Sequence, residues 1–218
     1  MPDNFVDLTI NLGPPVSRQL IGFLRSRTLQ TGEIILSNCR SKGLTLQAEE
    51  FHLISAKIPA HYTRLFFNDE NTMERDQTIS LGIFPEIQTS EQFEQHLSQW
   101  FKNLPHFEPS FLVDEATHII RKSQGDIKIK EVIEQLGISK SHLEQRFSYE
   151  IGLSPKEFCK IEKLKYFLAN YSQYQDSMNL TQLAFKSGYY DQSHLVKEFR
   201  YFMDVRPREF LCMAGLTF

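Results

Sequence analysis

The chain has 218 residues, 41% of them apolar, with 24 Lys and Arg against 27 Asp and Glu for a net charge of −3. That length holds one large domain or two small ones around a real core. The charge balance excludes a broadly basic nucleic-acid binder, so any DNA contact must come from locally placed charge. No apolar run approaches the ~20 residues of a membrane span. The start carries the acidic Asp3 and no basic-then-apolar leader. Cys39, Cys159 and Cys212 lack paired or CxxC spacing, as expected of reduced, buried thiols in a cytoplasmic protein.

Residues 1–84 read mostly as β. Val6, Leu8, Ile10 and Leu12 alternate with Asp7, Thr9 and Asn11, the pattern of a half-buried strand, and Gly13-Pro14-Pro15 ends it. Further strands are predicted at Leu20–Leu24, Glu33–Ser37, Leu44–Leu46, Phe51–Ile58, Arg64–Phe67 and Thr78–Phe84, separated by turn-rich segments. Their number and spacing suggest a small sandwich or barrel. Thr89 and Gln92 form a capping box ahead of a helix with Phe93, Leu97, Trp100 and Phe101 on one face. Asn103–Pro109 contains two prolines and is the expected linker. It is short, so the two parts should touch. The organisation expected is α+β: a small β-rich domain over 1–104 with a sensory or oligomerisation role, then an all-α domain over 110–218.

The all-α part is a degenerate repeat. Ile129, Ile133 and Gly137 fall on Leu180, Ala184 and Gly188 at an offset of 51. After the glycine the offset is 52: Ser141-His142-Leu143 falls on Ser193-His194-Leu195, Phe147 on Phe199, Pro155 on Pro207 and Phe158 on Phe210. Each unit is a short helix, a glycine turn and a second helix, the helix-turn-helix pattern occurring twice. A helix at Phe111–Ser123 precedes them, with Leu112, Ala116, Ile119 and Ile120 on one face. The first unit is Ile129–Leu136 with Ser139–Tyr149, and the second is Leu180–Ser187 with Asp191–Phe202; a last helix follows Pro207. Between the units Ser154, Pro155 and Glu157 form an N-cap and capping box for a long helix, Lys156–Gln173, roughly 27 Å long. Asn179 and Gln182 form a third capping box. A rigid helix of that length can place two reading helices in successive major-groove segments, which lie ~34 Å apart. If the fixed spacing falls short, the DNA must bend.

Gly188 to Phe210, G-Y-Y-D-Q-S-H-L-V-K-E-F-R-Y-F-M-D-V-R-P-R-E-F, together with L-G-I-S-K-S-H-L-E-Q-R-F (Leu136 to Phe147) and G-L-S-P-K-E-F (Gly152 to Phe158), resembles the C-terminal DNA-binding domain of the AraC/XylS transcriptional regulators. The likeness runs from about Ser110 to Phe210. The chain departs from the family pattern at Ile133, at Lys163-Leu164-Lys165-Tyr166-Phe167, at Leu195, at Asp204 in place of a glycine and at Arg206 in place of a serine. The N-terminal half is similar, more weakly, to a short domain found ahead of some regulators of this kind.

Leu143, Phe147, Leu195 and Phe199 are spaced by four and should face inward. The outward set is then Lys140, Ser141, Glu144, Gln145 and Ser148 in the first unit and Gln192, Ser193, Lys197 and Arg200 in the second. The resemblance makes Ser141, Glu144, Gln145, Gln192, Ser193 and Lys197 the base readers. Gln pairs with adenine, Lys reaches guanine and Glu accepts from cytosine N4. Lys140, Arg146, Arg200 and Arg208 are the phosphate-contact candidates. His142 and His194 recur in the repeat and are expected to cap or pack helices. No catalytic residue, metal set or cofactor motif stands out among seven histidines and three cysteines; His52 and His61, near strands, are weak pocket candidates. The expected function is a sequence-specific transcription regulator, not an enzyme, that reads two successive major-groove segments. The expected partners are double-stranded DNA, a small-molecule effector in the N-terminal domain, RNA polymerase and a second copy of the chain, with no membrane. The alternative is an interaction module that keeps the fold but has lost specific DNA recognition.

Overall fold

A computed structural model describes residues 4–22, 26–66, 76–104 and 110–213. The first half holds β1 (Phe5–Asn11), β2 (Val16–Leu20), β3 (Ser26–Leu29), β4 (Glu33–Ser37), β5 (Leu44–Gln47) and β6 (Leu53–Pro59). A 3-10 turn at Ala60–Tyr62 then runs into α1 (Thr63–Phe66), followed by β7 (Thr78–Ile83) and α2 (Ser90–Lys102). The strands form two antiparallel sheets, one in the order β6-β1-β4-β7 and one in the order β3-β2-β5. One face of the larger sheet presents Val6, Leu8, Ile10, Ile34, Leu36 and Ile58 to Phe93 and Leu97 of α2. Across its other face, Ile35 meets Val16 and Leu29 of the smaller sheet. The result is a small sandwich with a helix closing one side, as the strand spacing suggested.

Two strand expectations are corrected. Arg64–Phe66 is helical, and Phe67 lies outside the described residues. Pro59 ends β6, the Thr63 hydroxyl bonds back to Ala60 O, and the chain turns so that Arg64 reaches the helical half. The strand expected at Leu20–Leu24 ends at Leu20, having begun at Val16; Phe23 and Leu24 lie outside the described residues. β3, Ser-Arg-Thr-Leu, was not expected: an edge strand with one buried residue leaves no alternation to read. The expected linker falls mostly outside the description, since residues 105–109 are not described.

The second half is helical: α3 (Phe111–Lys122), α4 (Ile129–Leu136), α5 (Lys140–Ile151), α6 (Pro155–Tyr174), α7 (Leu180–Lys186), α8 (Gln192–Met203) and α9 (Pro207–Met213). All three capping boxes are present, at Thr89–Gln92, Ser154–Glu157 and Asn179–Gln182. α6 has 20 residues, not 18, and so is roughly 30 Å long. It buries Phe158, Ile161, Leu164, Phe167 and Tyr171. Phe158 sits edge-on to Phe147 of α5, ring centroids 5.6 Å apart. Phe167 sits edge-on to Phe199 of α8 at 6.3 Å. One helix thus supplies an aromatic anchor to each helix pair. The turn after α3 meets α6 at Gly125, whose φ is +77° and where an added Cβ would lie 2.2 Å from Cys159 O and 2.6 Å from Lys163 N.

The two halves share a core, in which Cys39 and Ala60 join the helical residues. Fully buried Asn4 donates to Phe158 O (3.0 Å) and Glu162 Oε1 (3.1 Å) on α6 and accepts from Arg121 of α3 through its carbonyl (3.1 Å). Arg64 donates through Nε to Tyr149 O at the end of α5 (2.5 Å), its guanidinium 3.9 Å from the Tyr149 ring. At the far end, Gly43 N donates to Phe202 O of α8 (2.8 Å), and Lys42 Nζ bonds Tyr201 O and lies 3.8 Å from that ring. His61 faces Asp114 of α3 at 3.0 Å; burial pushes its imidazole pKa down, with Asp114 opposing and Arg121 adding to the shift.

Because Gly125 combines a left-handed φ with backbone contact on α6, Gly125→Ala should destabilise the chain by about 3 kcal/mol or more. Urea unfolding of both proteins checks this, and a loss below about 1 kcal/mol would mean that the contact can relax.

Candidate nucleic-acid interface

The two helix pairs match in detail. Ser139 caps α5 by accepting from His142 N, and Asp191 caps α8 by accepting from His194 N. Gly137 and Gly188 turn the chain with left-handed φ of +65° and +78°. The Phe147–Phe158 contact of the first unit recurs as Phe199–Phe210 in the second, centroids 5.4 Å apart. Leu143, Phe147, Leu195 and Phe199 are all fully buried, as their spacing required. The polar residues are therefore turned outward, and Ser141, Glu144, Gln145, Ser193 and Lys197 are exposed. Gln192 is half-buried and accepts from the Thr181 hydroxyl at 2.9 Å, which holds its amide in place.

The structure sorts the expected phosphate contacts. Arg200 and Arg208 are exposed. Lys140 lies 3.6 Å from Glu144 on the helix surface, a weak pair that DNA could displace. Arg146 is bound to Glu150, which is buried and whose carboxyl pKa is pushed up by that burial in spite of the arginine. Much of the Arg146 charge is thus spent inside its own helix. His142 is exposed and contributes its backbone N–H to the cap, whereas His194 packs edge-on to Tyr189 at 5.5 Å and lies 3.5 Å from Glu198. His52 is exposed and His61 lies at the junction of the halves. Among the described residues no His, Cys, Asp and Glu gather in a way that could hold a metal ion, and no helix is long and apolar enough to cross a membrane.

Two features escaped sequence reasoning. Between the helix pairs lies a cleft of about 540 Å³, lined by Lys128, Lys140, Glu144, Lys156, Lys160, Lys163, His194 and Glu198. Its lysines come from two helices, α5 and α6, and the turn before α4, so no single segment looks basic. Cys159 also lines it, but burial pushes its thiol up to about 12, so it stays protonated; Cys39 is buried as well, whereas Cys212 is exposed, which corrects the expectation of three buried thiols.

The second is a cavity of about 260 Å³ between the sheets. Its walls are Leu29, Ile35, Leu44, Leu46 and Leu53, and its polar groups are Asp7, Thr9, Ser37, Ser55 and the cations Arg18, Arg40 and Lys57. Arg40 bonds Asp7, and Lys57 lies 3.6 Å from it. Arg18 donates to Ser37 Oγ at 3.3 Å, and its Nη1 has no hydrogen-bond partner among the described residues. Burial, then Arg40 and Arg27, lowers its pKa to about 10. The signal was present: Arg18 occupies the apolar phase of β2, between Val16 and Leu20. The half-buried reading of β1 is corrected too, because Asp7 and Asn11 are buried beneath the second sheet.

Residues 132–212 match the helix-turn-helix domain family. This part of the chain is an AraC-type helix-turn-helix domain. Its fold with the β-rich half is that of ToxT from Vibrio cholerae. The ToxT structure with a bound unsaturated fatty acid superposes over 100% of this chain and 91% of that one, at 14% identity and a TM-score of 0.61. The ToxT structure bound to (E)-4-(8-methylnaphthalen-1-yl)but-3-enoic acid covers 98% of this chain and 92% of that one, also at 14% identity and a TM-score of 0.61. No curated protein matches the chain in sequence.

The second unit's departure from glycine has a structural answer. Asp204 takes the left-handed φ of +56° at the end of α8, where Gly152 has +82° at the end of α5. Asp204→Gly relieves that conformation and should raise stability by about 0.5–1 kcal/mol. Thermal unfolding measures it, and a fall in Tm would show that the carboxylate has a compensating role.

Proposed function

We propose that the chain is a sequence-specific DNA-binding transcription regulator in which α5 and α8 read two successive major-groove segments. The observation that carries this is the pair of capped helices, each with a buried aromatic face and an exposed polar face, anchored on one buried helix. In this reading Ser141, Glu144, Gln145, Gln192, Ser193 and Lys197 meet base edges, and Lys140, Arg200 and Arg208 meet phosphates. Arg146 contributes less, being held by Glu150. If the ~30 Å helix sets the reading heads closer than the ~34 Å groove repeat, bound DNA bends.

The cavity between the sheets supports an effector site in the β-rich half, and its lining favours an apolar molecule carrying a carboxylate. Leucines and Ile35 take the apolar part while Arg18, with an unused N–H, faces the anion. The two ToxT ligands named above are acids of this kind. RNA polymerase and a second copy of the chain are further partners of a regulator that would act in the cytoplasm. The rival reading, an interaction module without DNA recognition, draws on the charges of Lys140 and Arg146 being paired within α5.

Selection of genomic fragments with the purified chain across a salt series separates these readings. A shared site of about two helical turns, bound more weakly as salt rises, is expected; no enrichment at low salt, with or without added fatty acids, would overturn the regulator reading. Lys197→Glu should lower specific binding at least a hundredfold with no change in Tm, and unchanged affinity would remove α8's assigned face. Fatty acids should raise Tm where alcohols of equal chain length do not, and Arg18→Gln should abolish the difference. Equal shifts with acid and alcohol would mean the cations play no part.

A further inference from the structure

We infer that the cleft between the helix pairs is a third DNA-contacting surface, a seat for the sugar-phosphate strand that passes from one major-groove segment to the next, and that Lys128 and Lys156 hold it. This rests on the reading of α5 and α8 as DNA-reading helices.

On α5 the cleft residues Lys140 and Glu144 lie one position before Ser141 and Gln145. On α8 His194 and Glu198 lie one position after Ser193 and Lys197. One position is ~100° around a helix. Each cleft-lining stripe therefore adjoins the outward face of its reading helix on the side turned toward the other pair, with Glu144 common to stripe and face. When the outward stripes enter the major groove, the cleft lies opposite the backbone between those segments. Its floor is α6, where Lys156, Lys160 and Lys163 fall at i, i+4 and i+7 on one face.

Charge supports the same assignment. Five lysines line the cleft against two glutamates, although residues 106–218 as a whole carry 15 basic and 15 acidic side chains. The helical half is neutral on average and cationic at this point. Not every lysine is available. Lys163 is tied to Asp126 at 2.8 Å and to Gly188 O at 3.0 Å, which clamps the two pairs together. Lys160 is held by the buried Glu198 at 2.9 Å. Lys128 and Lys156 are exposed and have no ion-pair partner among the described residues. Lys156 also stands in the first turn of α6, where the helix dipole favours an anion. Among the described residues no arginine lines this cleft, and its one ring, His194, is packed edge-on to Tyr189 beside Glu198, so it lacks the bidentate donor or free stacking plane that would select one compact anion. Mobile ammonium groups in an open trough suit a continuous polyanion.

The test is Lys128→Gln with Lys156→Gln, compared with the parent on a selected DNA site and on random duplex across a salt series. The slope of log affinity against log salt should fall in magnitude by about 1.8, two contacts at ~0.9 each, with the ratio of specific to random affinity unchanged. Methylphosphonate substitution at phosphates between the two half-segments should weaken the parent and leave the double variant unaffected. An unchanged slope, or a loss confined to the specific site, overturns the seat. A parent chain that selects no DNA at all refutes the reading beneath it, and the seat with it. Both lysines are exposed, and an unchanged Tm confirms that the variant is folded.

Discussion

The arrangement of this molecule depends on the burial of α6. Its 20 residues touch both helix pairs, α3 and Asn4 at the start of the chain, and bury Phe158, Ile161, Leu164, Phe167 and Tyr171. Truncating a buried aromatic costs about 3–5 kcal/mol, so neither pair can leave the helix cheaply. Phe158 sets α5 and Phe167 sets α8, nine positions along the same rod. The separation and rotation of α5 and α8 are thereby properties of a helix rather than of a flexible tether. Gly125 allows the turn after α3 to press on α6 closely enough to lock it from behind.

The β-rich half is joined to this frame by a shared apolar core at Cys39 and Ala60 and by well-separated polar contacts. Asn4 and Arg121 work at the N-terminal half of α6, Arg64 at the end of α5, and Lys42 with Gly43 at the end of α8. Hydrogen bonds to backbone carbonyls at helix ends satisfy groups that would otherwise need water. Each contact fixes orientation while contributing modestly to stability.

Much of the helical half was legible because its signals are local. Ser139 and Asp191, the turn glycines and the four-residue spacing of Leu143 with Phe147 each dictate structure within one turn of helix. The offset between units correctly paired Phe147 with Phe199 and Phe158 with Phe210, and the ring contacts repeat. The β half was legible in its apolar phase alone. Val6, Leu8 and Ile10 announced their burial, but Asp7, Thr9 and Asn11 read as solvent-facing because the second sheet that covers them is contributed by distant strands. Arg64–Phe66 read as strand because Leu65 and Phe66 are apolar, whereas the preceding proline and 3-10 turn direct the chain into a helix. The cationic cleft was invisible for the same reason as the covered face of β1, being assembled from segments that are unremarkable apart.

The strap at Lys42–Gly43 lies between Arg40 and Leu44, two residues of the cavity wall, and its other attachment is Phe202. From Phe202 to Ser193 is nine residues of α8, an arm of about 13 Å at ~1.5 Å per residue. A rigid rod pivoting at its buried middle converts a 1 Å push at one end into a comparable swing at the other, on the order of ten degrees of tilt over a half-arm of that length. α5 has no attachment to the cavity wall of this kind among the described residues; its end is held by Arg64. The link is therefore one-sided: among the described residues this strap ties the cavity wall to the second helix pair and not to the first.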